Sequence, residues 1–105
     1  MSIVEVYDIS QGNLNGHEYT RTSPSATTLR LVNRAGLDTM PCVHQITWAI
    51  EVIVDESCRT CTSLSDYDDG DLDGSGSGDE YQYGFLRGCT ALETVDFSGL
   101  RNCAS

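Results

Sequence analysis

Hydrophobic and polar residues alternate most persistently between Cys42 and Asp55. The even positions read Cys42, His44, Ile46, Trp48, Ile50, Val52 and Val54; the odd ones read Val43, Gln45, Thr47, Ala49, Glu51, Ile53 and Asp55. A period of two over this length is the mark of a long strand with one buried face. The pattern therefore predicts a central strand over about 43–55, with Trp48 as its core anchor. Ser2–Ile9, rich in Ile and Val, runs into Gln11-Gly12-Asn13, turn chemistry that ends a strand. Asn15-Gly16 is a favoured hairpin dipeptide, so Glu18–Thr22 is expected to return antiparallel to the first strand. Thr27–Asn33 sets Leu29 and Leu31 on one face and Arg30 on the other. Tyr81–Arg87 reads as a further strand, with Tyr81, Tyr83 and Phe85 on one face. The expected fold is mostly β: a small antiparallel β-sandwich or barrel, one domain over 1–105.

The tail supports two readings. Thr90 with Glu93 matches a helix capping box, whereas Val95 and Phe97 alternate with Thr94 and Asp96 as in a strand. The run GCTALETVDFSGL resembles one unit of the leucine-rich repeats found in some bacterial and protozoan surface proteins. Such folds stack several units. No second copy is evident in the sequence, so the unit is set aside.

Charge changes the picture locally rather than globally. The formal net charge is -10, with no lysine. Asp66–Glu80, DYDDGDLDGSGSGDE, holds seven acids and four glycines; the rest of the chain holds nine acids and six arginines. Carboxylates crowded this densely lose too much hydration to enter a core, so 66–80 is expected to be a solvated, Gly/Ser-rich acidic loop inserted in a nearly neutral domain. With no basic stripe, nucleic acid is not an expected partner. No segment approaches the roughly 20 apolar residues of a membrane span. MSIVEVYDIS lacks a basic region followed by an apolar one, so it is not read as a secretory signal, and synthesis in a cytoplasm is expected.

Within the acidic stretch, Asp69-x-Asp71-x-Asp73-Gly74-x5-Glu80 resembles the twelve-residue calcium loop of the EF-hand family. That resemblance implies Asp69, Asp71, Asp73, Ser75 (through its carbonyl) and Glu80 as calcium ligands, since a hard cation takes six to eight oxygens from one turning backbone. Gly76 stands where the family carries an apolar residue, and Ser63–Asp68 is not an amphipathic helix. The form expected is therefore a lone loop between strands, and the competing reading is an acidic linker that binds no cation.

Five cysteines stand at 42, 58, 61, 89 and 103, so at least one stays unpaired within a monomer. In one reading Cys58 or Cys61 joins Cys89, closing the acidic loop, and Cys103 ties down the tail. In another, Cys58-x2-Cys61 is half of a zinc site, completed by Cys42 and His44 or by Cys89 and Cys103. A thioredoxin-like reading of Cys58–Cys61 needs a helix that the following residues do not make. His44 lies on the apolar face and reads as a core histidine; His17 reads as solvated. Ser98 lacks a nucleophile-elbow setting.

No catalytic set emerges, and the expected function is non-enzymatic: a structural or interaction module in a homo- or hetero-oligomeric protein assembly. Cysteines without a secretory signal suit a virion component, such as a capsid decoration or tail protein, that ends outside the cell. The alternatives are a small metal-binding regulatory module, with calcium or zinc, and an acidic inhibitor that mimics nucleic acid.

Overall fold

The computed structural model describes residues 3–64 and 85–102. Eight strands occur among them: β1 (Val4–Asp8), β2 (Leu14–Asn15), β3 (Thr28–Val32), β4 (Thr39–Met40), β5 (Val43–His44), β6 (Glu51–Val54), β7 (Ser63–Leu64) and β8 (Thr94–Asp96). They form three sheets, ordered β1-β3-β6-β8, β2-β5 and β4-β7, and every pairing is parallel. In the first sheet Val4 faces Thr28, Thr28 faces Glu51 and Glu51 faces Thr94. Parallel neighbours need a long crossover. Here the crossover is the remainder of a coil, whose own short strands stack on the coils beside it. The chain winds as a short solenoid.

This overturns the antiparallel sandwich or barrel. The hairpin at Asn15-Gly16 is absent, because Gly16 serves a different need. It is not in the left-handed region that a tight hairpin turn demands. A side chain there would instead run into the Gln45 carbonyl of the next coil and lie 2.8 Å from the Ile46 Cα. Gly16 N–H donates to the His44 carbonyl at 2.9 Å, as Leu14 N–H does to that of Cys42 at 2.8 Å. Asn15 continues into a parallel contact where a reversal was expected.

The long strand over 43–55 also resolves differently. Val43–His44 and Glu51–Val54 belong to two sheets, joined by a corner that begins at Gln45 (φ +59°). The inward positions run Ile46, Ala49, Val52 and Val54, all buried, while Ile50 is 41 % exposed. Two successive steps of three at the corner, Ile46 to Ala49 to Val52, take the inward side off the even positions and return it, so the apparent alternation runs across the corner. Trp48 lies in this corner, half-buried, with the Arg21 guanidinium 4.9 Å from its ring centroid. It flanks the core where an anchor was expected. Residues 85–88 form a turn in place of a strand, although Leu86 N–H and Gln45 N–H bond to Val43 and Arg87 across coils. In the tail, strand wins: β8 is followed by a 3-10 turn at Ser98–Leu100.

Inside the solenoid, Leu29, Val52 and Val95 stack in one ladder, and Tyr7, Leu31 and Val54 in the next. Ile9, Leu14, Met40, Val43 and Ile46 fill the rest, all at most 2 % exposed. Each such burial contributes about 1.5–3 kcal/mol. Corners are bound by short polar links. Asp8 accepts from Ser10 N and Arg34 N, at 3.0 and 3.1 Å, and Ser10 Oγ accepts from Ala35 N at 2.9 Å. Two coils later Asp55 accepts from Ser57 N, while Ser57 Oγ accepts from Asn33 N of the coil between, both at 2.9 Å. Buried Asn33 spans its own turn, accepting from Leu37 N at 2.8 Å and donating to Leu37 O and Thr60 Oγ1 at 3.0 Å.

The unit GCTALETVDFSGL that looked solitary is thus the last of four stacked strands. The first three recur at steps of 24 and 23 residues, from Val4 to Thr28 to Glu51. Between Glu51 and Thr94 the coil is longer, and residues 65–84 fall within it.

Candidate interaction surface

Alternation along each strand turns one set of side chains outward across the four-stranded sheet. The registers align them in rows: Val4, Thr28 (itself buried), Glu51 and Thr94; then Val6, Arg30, Ile53 and Asp96; then Asp8, Val32 and, one residue past β6, Asp55. The rows change character across the sheet. At β1 the outward residues Val4 and Val6 are 45 % and 47 % exposed. At β6 and β8 stand Glu51, Ile53, Asp55 and Asp96.

One cation sits among these acids. Arg30 bonds to Asp55. Asp55 is pulled down to about 2, chiefly by the Ser57 hydroxyl and backbone N–H and then by Arg30. The Asp96 carboxyl is lowered by the Ser98 hydroxyl, which donates to it at 2.6 Å, and by Ser98 N–H, with a smaller pull from Arg30. Both are anionic at neutral pH. Glu51 and Asp96 have no ion-pair partner among the described residues.

Glu5 marks the β1 end of the inner ladder. It occupies the position that Leu29 and Val52 fill in the next coils, yet it is 1 % exposed. Burial raises its pKa, and a cradle of donors more than offsets this. Tyr19 OH, Thr22 N (3.1 Å), Thr22 Oγ1 (2.9 Å) and Ser23 N (3.4 Å) hold the carboxyl below its ordinary value. Nearby lies a shallow cavity of about 230 Å³ lined by Tyr7, Gln11, Asn13, Leu14, Asn15, Glu18 and Tyr19. It is smaller than the roughly 300–1,000 Å³ of typical small-molecule sites.

The sequence-derived metal and disulfide residues fall as follows. The calcium set Asp69, Asp71, Asp73, Ser75 and Glu80 lies outside the described residues, as does Cys103. Cys42 and His44 are buried on or beside β5, and Cys58 and Cys61 in the corner after β6. No three His, Cys, Asp or Glu side chains converge as a ligand set among the described residues. Cys58 is a buried thiol pushed up to about 12, mostly by burial, and donates to Leu31 O at 3.6 Å. The half-buried Cys89 thiol is also raised by burial. His44, 3 % exposed, is lowered by burial and by repulsion from His17, so it is neutral at pH 7. No helix among the described residues is long and apolar enough to cross a membrane.

Sequence reasoning placed Arg30 opposite Leu29 and Leu31, but did not assemble Glu51, Ile53, Asp55 and Asp96 around it. The available signal was a recurring corner, Asp-x-Ser, at Asp8–Ser10, Asp55–Ser57 and Asp96–Ser98. Comparison with protein-family models, with curated proteins and with solved structures finds no match to the chain.

Proposed function

We propose that the chain is a non-enzymatic interaction module that binds a protein partner on the outward face of its β3-β6-β8 sheet. The observation that carries this reading is the row Arg30, Ile53 and Asp96 beside Glu51. An apolar side chain stands there among carboxylates with too few cations to neutralise them. Solenoids of parallel coils offer such sheet faces as extended, rigid binding surfaces. The charge complement is a segment with basic residues flanking an apolar one, since opposite charge steers encounter and apolar contact gives the affinity.

The test replaces Glu51 with a benzophenone amino acid and illuminates the cells that make the protein. Thr47, exposed at the corner, carries the same group as a control. A discrete protein adduct from position 51 and none from 47 supports the reading. Identical adducts from both positions, or none from either, refute it.

A further inference from the structure

We propose that the chain forms a twofold dimer by pairing β1 edge to edge with β1 of a second copy. The two outer edges of the four-stranded sheet differ. β8 ends one side with Thr94 and Asp96 turned outward. An outward carboxylate of this kind blunts an edge against further pairing. β1 ends the other side, with β3 along one flank and no strand along the other among the described residues. Of the five large apolar side chains that stand exposed among the described residues, Ile3, Val4 and Val6 lie on or beside this one strand, at 44 %, 45 % and 47 %. Ile3–Tyr7 contains no proline and no lysine to protect the edge. The inward Glu5 is held by Tyr19, Thr22 and Ser23, and the outward Asp8 at the strand's end by Ser10 N and Arg34 N. What sets this edge apart from β8 is Val4 and Val6 where β8 carries Thr94 and Asp96.

The unpaired flank of a strand is a template for another strand, which meets its row of backbone N–H and C=O groups in register. A second copy meets the side chains as well. With the twofold axis at Val6, antiparallel pairing sets Val6 against Val6, Val4 against Asp8, and Glu5 against Tyr7 of the other copy. No like charges face each other, and the exposed Val6 covers Val6 of the other copy. Head-to-tail stacking would instead set Asp96 of β8 against Val6. The interface is isologous and closes at two copies. Each chain carries a net charge of -10, so the two repel at long range, and added salt strengthens the pairing.

Sedimentation equilibrium of the full chain, from about 5 to about 500 μM and at two salt concentrations, reads this directly. The expected result is a concentration-dependent rise from 11.4 kDa to twice that mass, tighter at the higher salt. Val6→Lys and Val4→Asp are each expected to weaken association at least about tenfold, the first by setting two ammonium groups face to face and the second by setting a carboxylate against Asp8 of the other copy. Ile50→Lys, on the exposed corner, leaves it unchanged. Thermal melts confirm that each variant is folded, and either edge variant alone suffices. A monomer throughout the range, or a dimer that survives both edge substitutions, overturns the proposal.

Discussion

Replacing Gly16 with alanine probes the stacking of the coils at the atomic level. The added methyl would collide with the Gln45 carbonyl and lie 2.8 Å from the Ile46 Cα, against an ordinary carbon contact of about 3.5–4.0 Å. The first and second coils must open by roughly 1–2 Å to admit it, by the same contact distances. That opening breaks the bonds from Gly16 N to His44 O and from Leu14 N to Cys42 O. Each is worth about 0.5–1.5 kcal/mol. Residual overpacking adds about 1–3 kcal/mol, so with the two lost bonds the expected loss is about 2–6 kcal/mol. Of a domain stability of about 5–15 kcal/mol, that is a large share. Urea unfolding followed by Trp48 fluorescence should show a midpoint lowered by about 1–2 M. Gly36→Ala is the control: it has a left-handed φ of +71° and nothing within 4 Å of the added methyl, so it costs only about 1–2 kcal/mol of backbone strain. Gly16→Asn sharpens the test. A hairpin glycine tolerates asparagine, whereas the stacked coil rejects it as it rejects alanine. A Gly16→Asn protein as stable as the parent would refute the reasoning.

Other consequences follow from the coil geometry and the buried acids. Deleting residues 66–83 leaves Ser65, Gly84 and Phe85 between Leu64 and Leu86, matching the three-residue link of Pro41, Cys42 and Val43 between Met40 and His44. The shortened protein should fold with stability unchanged or raised by up to about 2 kcal/mol, as circular dichroism melts will show; an unfolded product contradicts this coil assignment. Glu5→Gln puts an amide N–H among the donors of Thr22 and Ser23 and should cost about 1–3 kcal/mol at pH 7, measured by the same melts. The Glu5 and Asp55 pKa values are depressed in the fold, so the stability each adds is complete above the ordinary carboxylate range. It is lost as pH falls below about 4 and, for Asp55, down to about 2. Asp55→Asn should flatten that acid limb of a stability–pH curve, and an unchanged limb would show that Asp55 does not contribute.

Strand segments were legible, while their pairing was not. β1 and β3 fall within Ser2–Ile9 and Thr27–Asn33, because a two-residue period and flanking turns mark half-buried strands whatever their partners. Direction is a different matter: it depends on long-range stacking, which leaves no trace in a local window. Asn15-Gly16 carries hairpin chemistry, yet its glycine is demanded by a backbone 29 residues away at Gln45. The span 42–55 read as one strand because the corner at Gln45–Ile50 preserves apparent alternation while slipping its phase and restoring it. The repeat itself was hidden twice. The second coil places Val32 where its neighbours place Asp8 and Asp55, and the third coil is lengthened by the acidic segment. The outward face was half legible: Arg30 could be assigned to it, but its acidic company comes from other coils and appears only when the registers are known.

The central claim is the parallel stack. Nuclear Overhauser contacts across strands, measured on the isotopically labelled protein in solution, test it most directly. The account predicts backbone contacts that connect Val6 with Arg30, Arg30 with Ile53, and Ile53 with Asp96, in a parallel pattern. Antiparallel contacts between Val4–Asp8 and Glu18–Thr22, or one unbroken strand pattern from Val43 to Asp55, would contradict it.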